Sequence, residues 1–167
     1  MAIPTYLEMV NEVLIRLREN EVTSVSDNGY SKLIGKYIND AKRQVEDSYN
    51  WNSLSETLSA TTTQDIFNYV LTGSGVRFKM IDAYNDSQNV FMNLAPTSWM
   101  TQKLMQTTPA HGAPTYYNFN GHDANGDTLV DVFPIPNSAY TLRFNVILPQ
   151  APLSADTDVI KVPGDVV

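Results

Sequence analysis

Any chemistry in this chain would have to come from a few loop residues. Asp123, Asn125 and Asp127 alternate around Gly126, and oxygen ligands at that spacing can ring a calcium ion. A calcium loop of the EF-hand kind wants glycine sixth and a bidentate glutamate twelfth. Here the glycine is fourth and the twelfth position is Pro134. Asn125-Gly126 is also a strong β-turn dipeptide, so a tight turn is the first reading of this loop. The two histidines, His111 and His122, each sit in a polar loop with glycine and without a second ligand at metal spacing. Gly73-Ser74-Gly75 is too short to cradle a phosphate, and no helix follows it, so it reads as a hairpin turn. Asp156 and Asp158 pair two carboxylates, but no apolar setting is evident that would split their pKa values. No serine stands in a nucleophile elbow. Cysteine is absent, which removes thiol nucleophiles, disulfides and zinc–thiolate sites together. These residues predict no enzyme, no metal and no cofactor.

The elements that carry those loops fall into two parts. Thr5-Tyr6-Leu7-Glu8 is a capping box behind Pro4, and it predicts a helix running to Arg18. Tyr6, Val10, Val13, Leu14 and Leu17 form its apolar stripe, while Glu12 and Arg16 make an i,i+4 pair on the polar side. The polar segment Asn20–Gly29 turns at Asp27-Asn28-Gly29. A second helix is predicted over Tyr30–Tyr49, with Leu33, Ile34, Tyr37, Ile38, Ala41, Val45 and Tyr49 assigned to a buried face. Together the two make an αα-hairpin. Trp51 closes the second helix, either as a core plug between the helices and the β domain or as a partner contact.

From Leu54 onward the apolar period falls to two. Strands are predicted around Leu54–Thr62, Phe67–Leu71, Phe78–Tyr84, Val90–Leu94, Thr115–Phe119, Thr128–Phe133 and Tyr140–Leu148. Pro96 opens a short helix through Met105. The expected fold class is α+β: an N-terminal helical hairpin, then an antiparallel β-sandwich or open barrel with one short helix. The expected divisions are residues 1–52 for the helical part, 53–153 for the β domain and 154–167 for a C-terminal extension.

With 167 residues, the chain is large enough to bury a core without staples. Its net charge of −7 disfavours binding to nucleic acid phosphates, which need clustered Lys and Arg. No Lys or Arg occurs between Lys103 and Arg143, whereas Asp123, Asp127 and Asp131 fall inside that gap. This reads as a solvated acidic face, or as a surface that keeps DNA from sticking or meets a basic partner. No apolar leader opens the chain, and no apolar run approaches the ~20 residues that span a bilayer.

Three stretches carry a resemblance: TYLEMVNEVLIRLRE, LIGKYINDAKRQVEDSYNWNSL, and VDVFPIP followed by YTLRFNVILPQ. With them the chain resembles the head–tail adaptor (connector) proteins of tailed bacteriophages, especially the tail-tubular-A-like adaptors of short-tailed phages. An Ala-x-x-x-Val/Ile-Glu stretch ending in Trp is part of that likeness; here it is Ala41 to Glu46, then Trp51. The resemblance implies a structural virion protein of the neck or tail, assembled in the host cytoplasm. Copies would form a homo-oligomeric ring, a dodecamer, with the portal protein on one side and a tail or nozzle protein on the other. DNA would pass through the lumen without specific binding, and no membrane is involved. Under that reading Val22, Val25, Tyr30 and Tyr37 are candidate contacts on the portal or neighbour side. His111, Asp123 and Asp127 are candidates on the tail side, and Trp51 is a further contact. Such adaptors continue into a further helix that packs on the first two, and Val162-Pro163-Gly164-Asp165 reads as a helix start leading toward one. A rival reading is a carbohydrate- or receptor-binding β-sandwich, which would expose aromatics on a concave face and would not need the helical pair.

Overall fold

The structure, a computed structural model, describes residues 3–162. The chain divides into two compact units, residues 1–54 with 149–167 and residues 55–148.

In the first unit, helix α1 spans Tyr6–Arg16 and helix α2 spans Gly29–Ser48. The capping box forms as the sequence predicts. Glu8 N donates to Thr5 Oγ1 at 3.3 Å, and Thr5 N donates to Glu8 Oε2 at 2.7 Å. Asn28 caps α2 by accepting from Tyr30 N and Ser31 N at 2.9 and 2.8 Å. Tyr6, Val10, Leu14, Ile34 and Ile38 are buried and form the apolar centre of this unit. At Gly35 a side chain would overlap Tyr6 Oη, so α2 lies directly against Tyr6 of α1 there.

The buried arc of α2 is not the one assigned from its spacing. Ile34 and Ile38 are buried, but Leu33, Tyr37 and Tyr49 are 42%, 62% and 63% exposed. In their place Ser31, Gly35, Lys42 and Glu46 turn inward. Ser31 and Gly35 pack under Val25 and Tyr6, whereas Lys42, with its partner Glu46, is turned inward by the return of residues 149–162 to this unit. Asn39 holds Leu153 from both sides, accepting from its N–H at 2.7 Å and donating to its carbonyl at 3.0 Å. Tyr6 N donates to Asp158 O at 2.7 Å, and Leu7 N to Asp156 O at 3.1 Å. Leu153, Ile160 and Val162 are buried there. An extended segment presents carbonyls as well as side chains, so α2 meets it with polar groups. The helix-start cue after Val162 falls on residues 163–167, outside the described residues.

The second unit is a seven-stranded sheet. Its strands are β1 (Ser55–Thr61), β2 (Asn68–Leu71), β3 (Lys79–Asn85), β4 (Val90–Leu94), β5 (Tyr116–His122), β6 (Thr128–Phe133) and β7 (Thr141–Ile147). The hydrogen-bonded order is β1-β7-β3-β4-β5-β6-β2. The end strands β1 and β2 come into contact, so the sheet is a nearly closed barrel. This is the α+β class expected from the sequence. Five of the six pairings are antiparallel; β4 and β5 run parallel, with Asn93 opposite Tyr116. The reason is the connection: α3 (Thr97–Leu104) carries the chain across from the end of β4 to the start of β5, as a parallel pair requires. Val130, Val132, Leu142, Phe144 and Val146 fill the interior and are fully buried. A satellite cluster of Ala95, Met100 and Phe133 lies under α3, with Trp99 packed against it.

Candidate functional site

An apolar opening in the helical unit lies between α1 and α2. It is a groove of about 610 Å³. Met9, Val13, Ile34 and Ile38 form its floor, and Leu33 and Tyr37 raise its lip on the α2 side. Its position follows from the helical period. On α2 the apolar residues at 30, 33, 34, 37, 38 and 41 cover two adjoining arcs. One arc packs inward on α1, and the other, carrying Tyr30, Leu33 and Tyr37, faces solvent. Leu17, the residue that ends α1, is 51% exposed at the same groove. On the α1 lip Glu12 and Arg16 neutralise each other at 2.5 Å, the pair expected from their spacing.

At its loop end the groove adjoins an open hollow of about 570 Å³ that includes Glu19, Glu21, Val22 and Tyr30. Asn11 fixes this loop by exchanging two hydrogen bonds with the Val22 backbone, at 2.9 and 3.0 Å. Asp27 gathers the next turn, accepting from Thr23 N and Ser24 N at 2.8 and 3.1 Å. The Thr23 amide in particular holds the Asp27 carboxyl below its ordinary range. The long α1–α2 connection is therefore a tied loop.

The residues singled out from the sequence separate into several places. Tyr30 and Tyr37 line the groove, and Val22 lines the adjoining hollow. Val25 is buried, with its N–H donating to Asp156 Oδ1 at 3.0 Å. Trp51 is half-buried beyond the end of α2 and donates Nε1–H to Val45 O at 2.8 Å. Its ring meets Tyr49 edge-on at 5.3 Å, and both border a smaller hollow with Ile3, Lys161 and Val162. His111, Asp123 and Asp127 belong to the β unit. His111 Nδ1 lies 3.2 Å from an Asp65 carboxylate oxygen, both side chains being exposed.

Asp123 and Asp127 are brought together as turn-formers. Asp123 accepts from Asn125 N and Asp127 N, each at 2.9 Å, and the Asp127 amide is the main reason its carboxyl sits below the ordinary range. Asp127 accepts from Gly73 N and Gly75 N at 3.0 and 3.1 Å, which ties the β2–β3 turn to the β5–β6 turn. Their oxygens face backbone N–H groups, the arrangement of a tight turn. Among the described residues no group of three His, Asp or Glu could hold a metal ion.

Sequence reasoning assigned Leu17 and Leu33 to apolar stripes and did not single out Glu19, although all three lie on the surface here. The available signal was the width of the α2 apolar arc, which exceeds what one partner helix covers.

The groove is open and apolar, and the residues that cap α2 and tie the connecting loop are hydrogen-bonded within the unit. The chain belongs to the SU10 adaptor protein family, whose sequence pattern matches residues 4–167. It is thus a structural phage adaptor of the virion, which is not a class of enzyme, and its role implies contacts with other virion proteins. No curated protein matches the chain. Among the described residues no helix is long and apolar enough to cross a membrane.

Proposed function

We propose that copies of this chain form a ring, a dodecamer of the tail-tubular-A-like kind, that joins the portal to the tail or nozzle protein. DNA passes through its lumen. The observation that carries this reading is the family match over residues 4–167. The helical unit and its groove serve the portal or neighbour side, and the loops bearing His111, Asp123 and Asp127 serve the tail side. The net charge of −7 suits a passage that should not hold phosphates.

The test is size-exclusion chromatography with light scattering, run with and without the phage's portal protein. Ring assembly or co-migration with the portal is the expected result. A chain that stays monomeric beside the portal and instead binds a glycan array overturns the reading.

A further inference from the structure

Residues 149–162 are bonded to themselves as well as to the helices. Gln150 clasps the far end of the segment, donating from Nε2 to Val159 O at 2.8 Å and accepting from Lys161 N at 3.1 Å. Within that clasp Asp158 gathers a turn, accepting from Ser154 N and Ala155 N at 2.7 and 2.8 Å. A segment whose ends lie close and whose own side chains tie it is an Ω-loop, here a single piece without helix or strand. Its outward bonds run to places far apart in the helical unit. Tyr6 N and Leu7 N belong to the first turn of α1, which has no intrahelical acceptors for them, and the loop carbonyls of Asp158 and Asp156 supply these. Val25 N reaches Asp156 Oδ1, and Asn39 and Lys42 bind the backbone at Leu153, Gln150 and Ala151.

We propose that this loop opens and closes as one latch over the inward arc of α2, while α1 and α2 stay helical and paired. Leu153, Ile160 and Val162 are its buried apolar anchors, a small apolar area against the entropy of ordering the whole loop. The rest of its hold is hydrogen bonds, which water replaces at small net cost. Opening also returns Lys42 and Glu46 to water, so the desolvation of that buried pair favours release. The helices depend less on the latch, because their own backbone bonds and the packing of Tyr6, Val10, Leu14, Ile34 and Ile38 remain. A contiguous piece held in this way opens below the free energy of global unfolding. One event therefore governs amides far apart in the sequence: Tyr6, Leu7, Val25 and Leu153 lose their acceptors together.

Amide hydrogen exchange, followed by NMR on the full chain, tests the latch. Leu153→Ala removes an anchor to which none of the Tyr6, Leu7 and Val25 amides bonds. Those three amides should exchange faster by one common factor, at least about thirtyfold, with Leu14, Ile38, Phe144 and Val146 unchanged. Unequal factors overturn the proposal, because the segment then frays piecemeal. An equal rise at Leu14 and Ile38 also overturns it, because the helical unit then opens whole. A second variant tests the latch without removing an anchor. Thr5 and Val159 stand opposite each other in an antiparallel bridge, a spacing that suits a disulfide, and the chain has no cysteine of its own. In the double variant Thr5→Cys, Val159→Cys, oxidation should slow exchange at Leu7, Val25 and Leu153 at least about tenfold relative to the reduced form. Equal rates in the two forms overturn the latch.

Discussion

Lys42 and Glu46 form an ion pair of 3.1 Å one turn apart on α2, with both side chains only 2% exposed. Lys42 Nζ also donates to the carbonyls of Gln150 and Ala151, at 2.8 and 3.1 Å. One ammonium thus meets a carboxylate and two backbone oxygens, which uses all three of its protons. It joins residues more than a hundred positions apart.

Lys42→Met strands the Glu46 charge and two carbonyls in a buried site. Chemical denaturation should show a loss of about 3–5 kcal/mol. The double variant Lys42→Met, Glu46→Leu removes the stranded charge and should recover much of that loss. Equal losses in the single and double variants would refute this account of the pair.

Gly35→Ala sets two effects against each other. Alanine favours a helix interior by about 1 kcal/mol over glycine. Its methyl, however, would overlap Tyr6 Oη and stand 2.9 Å from Val25 Cγ1. Overpacking of this kind costs about 1–3 kcal/mol, so a net destabilisation is expected. The cost should shrink when the substitution is made in a Tyr6→Phe background, which removes the hydroxyl. A double-mutant cycle measures that coupling, and a coupling of zero would mean Tyr6 Oη is not the obstacle.

Acid should loosen this protein through carboxylates that accept backbone N–H groups. Asp158 is held low chiefly by Ser154 N, Asp27 by Thr23 N and Asp123 by Asp127 N. A depressed folded pKa means that the folded state binds fewer protons than the unfolded chain as pH falls toward the ordinary carboxylate value. The stability they give is therefore present above an ordinary pKa of about 3.9 and is lost as pH falls through the lower folded values. Urea midpoints taken from pH 6 to pH 3 should fall. Asp158→Asn should be less stable at pH 6 and lose less over the same range. An identical pH slope in that variant would count against the mechanism.

In the β unit Phe144 is fully buried and meets the Tyr117 ring edge-on at 5.8 Å. Phe144→Ala should cost about 3–5 kcal/mol by equilibrium unfolding. Val70→Ala, on an exposed side chain of β2, should change stability by less than about 0.5 kcal/mol.

The secondary structure was legible because its signals are local. The Thr5–Glu8 box, the Asn28 turn and the alternation from Tyr140 to Leu148 each sit within a few residues, and each element appears close to its predicted bounds. The inward face of α2 was not legible. Periodicity identifies an apolar arc, but which part is covered depends on a segment more than a hundred residues later. Lys42 and Glu46 look like surface residues in sequence, and only the carbonyls of Gln150 and Ala151 explain their burial. The exposed arc of α2 was missed for the same reason: Leu33 and Tyr37 were both assigned to the buried face, although Tyr37 was also named as a candidate contact.

The return of residues 149–162 to the first helices sets an order of events during synthesis. Asn39 and Lys42 leave the ribosome early, but their partners Leu153, Gln150 and Ala151 follow only after the whole barrel sequence has emerged. The β unit can close while the helical unit still lacks its last side. The helical unit, though first in the chain, is therefore finished last.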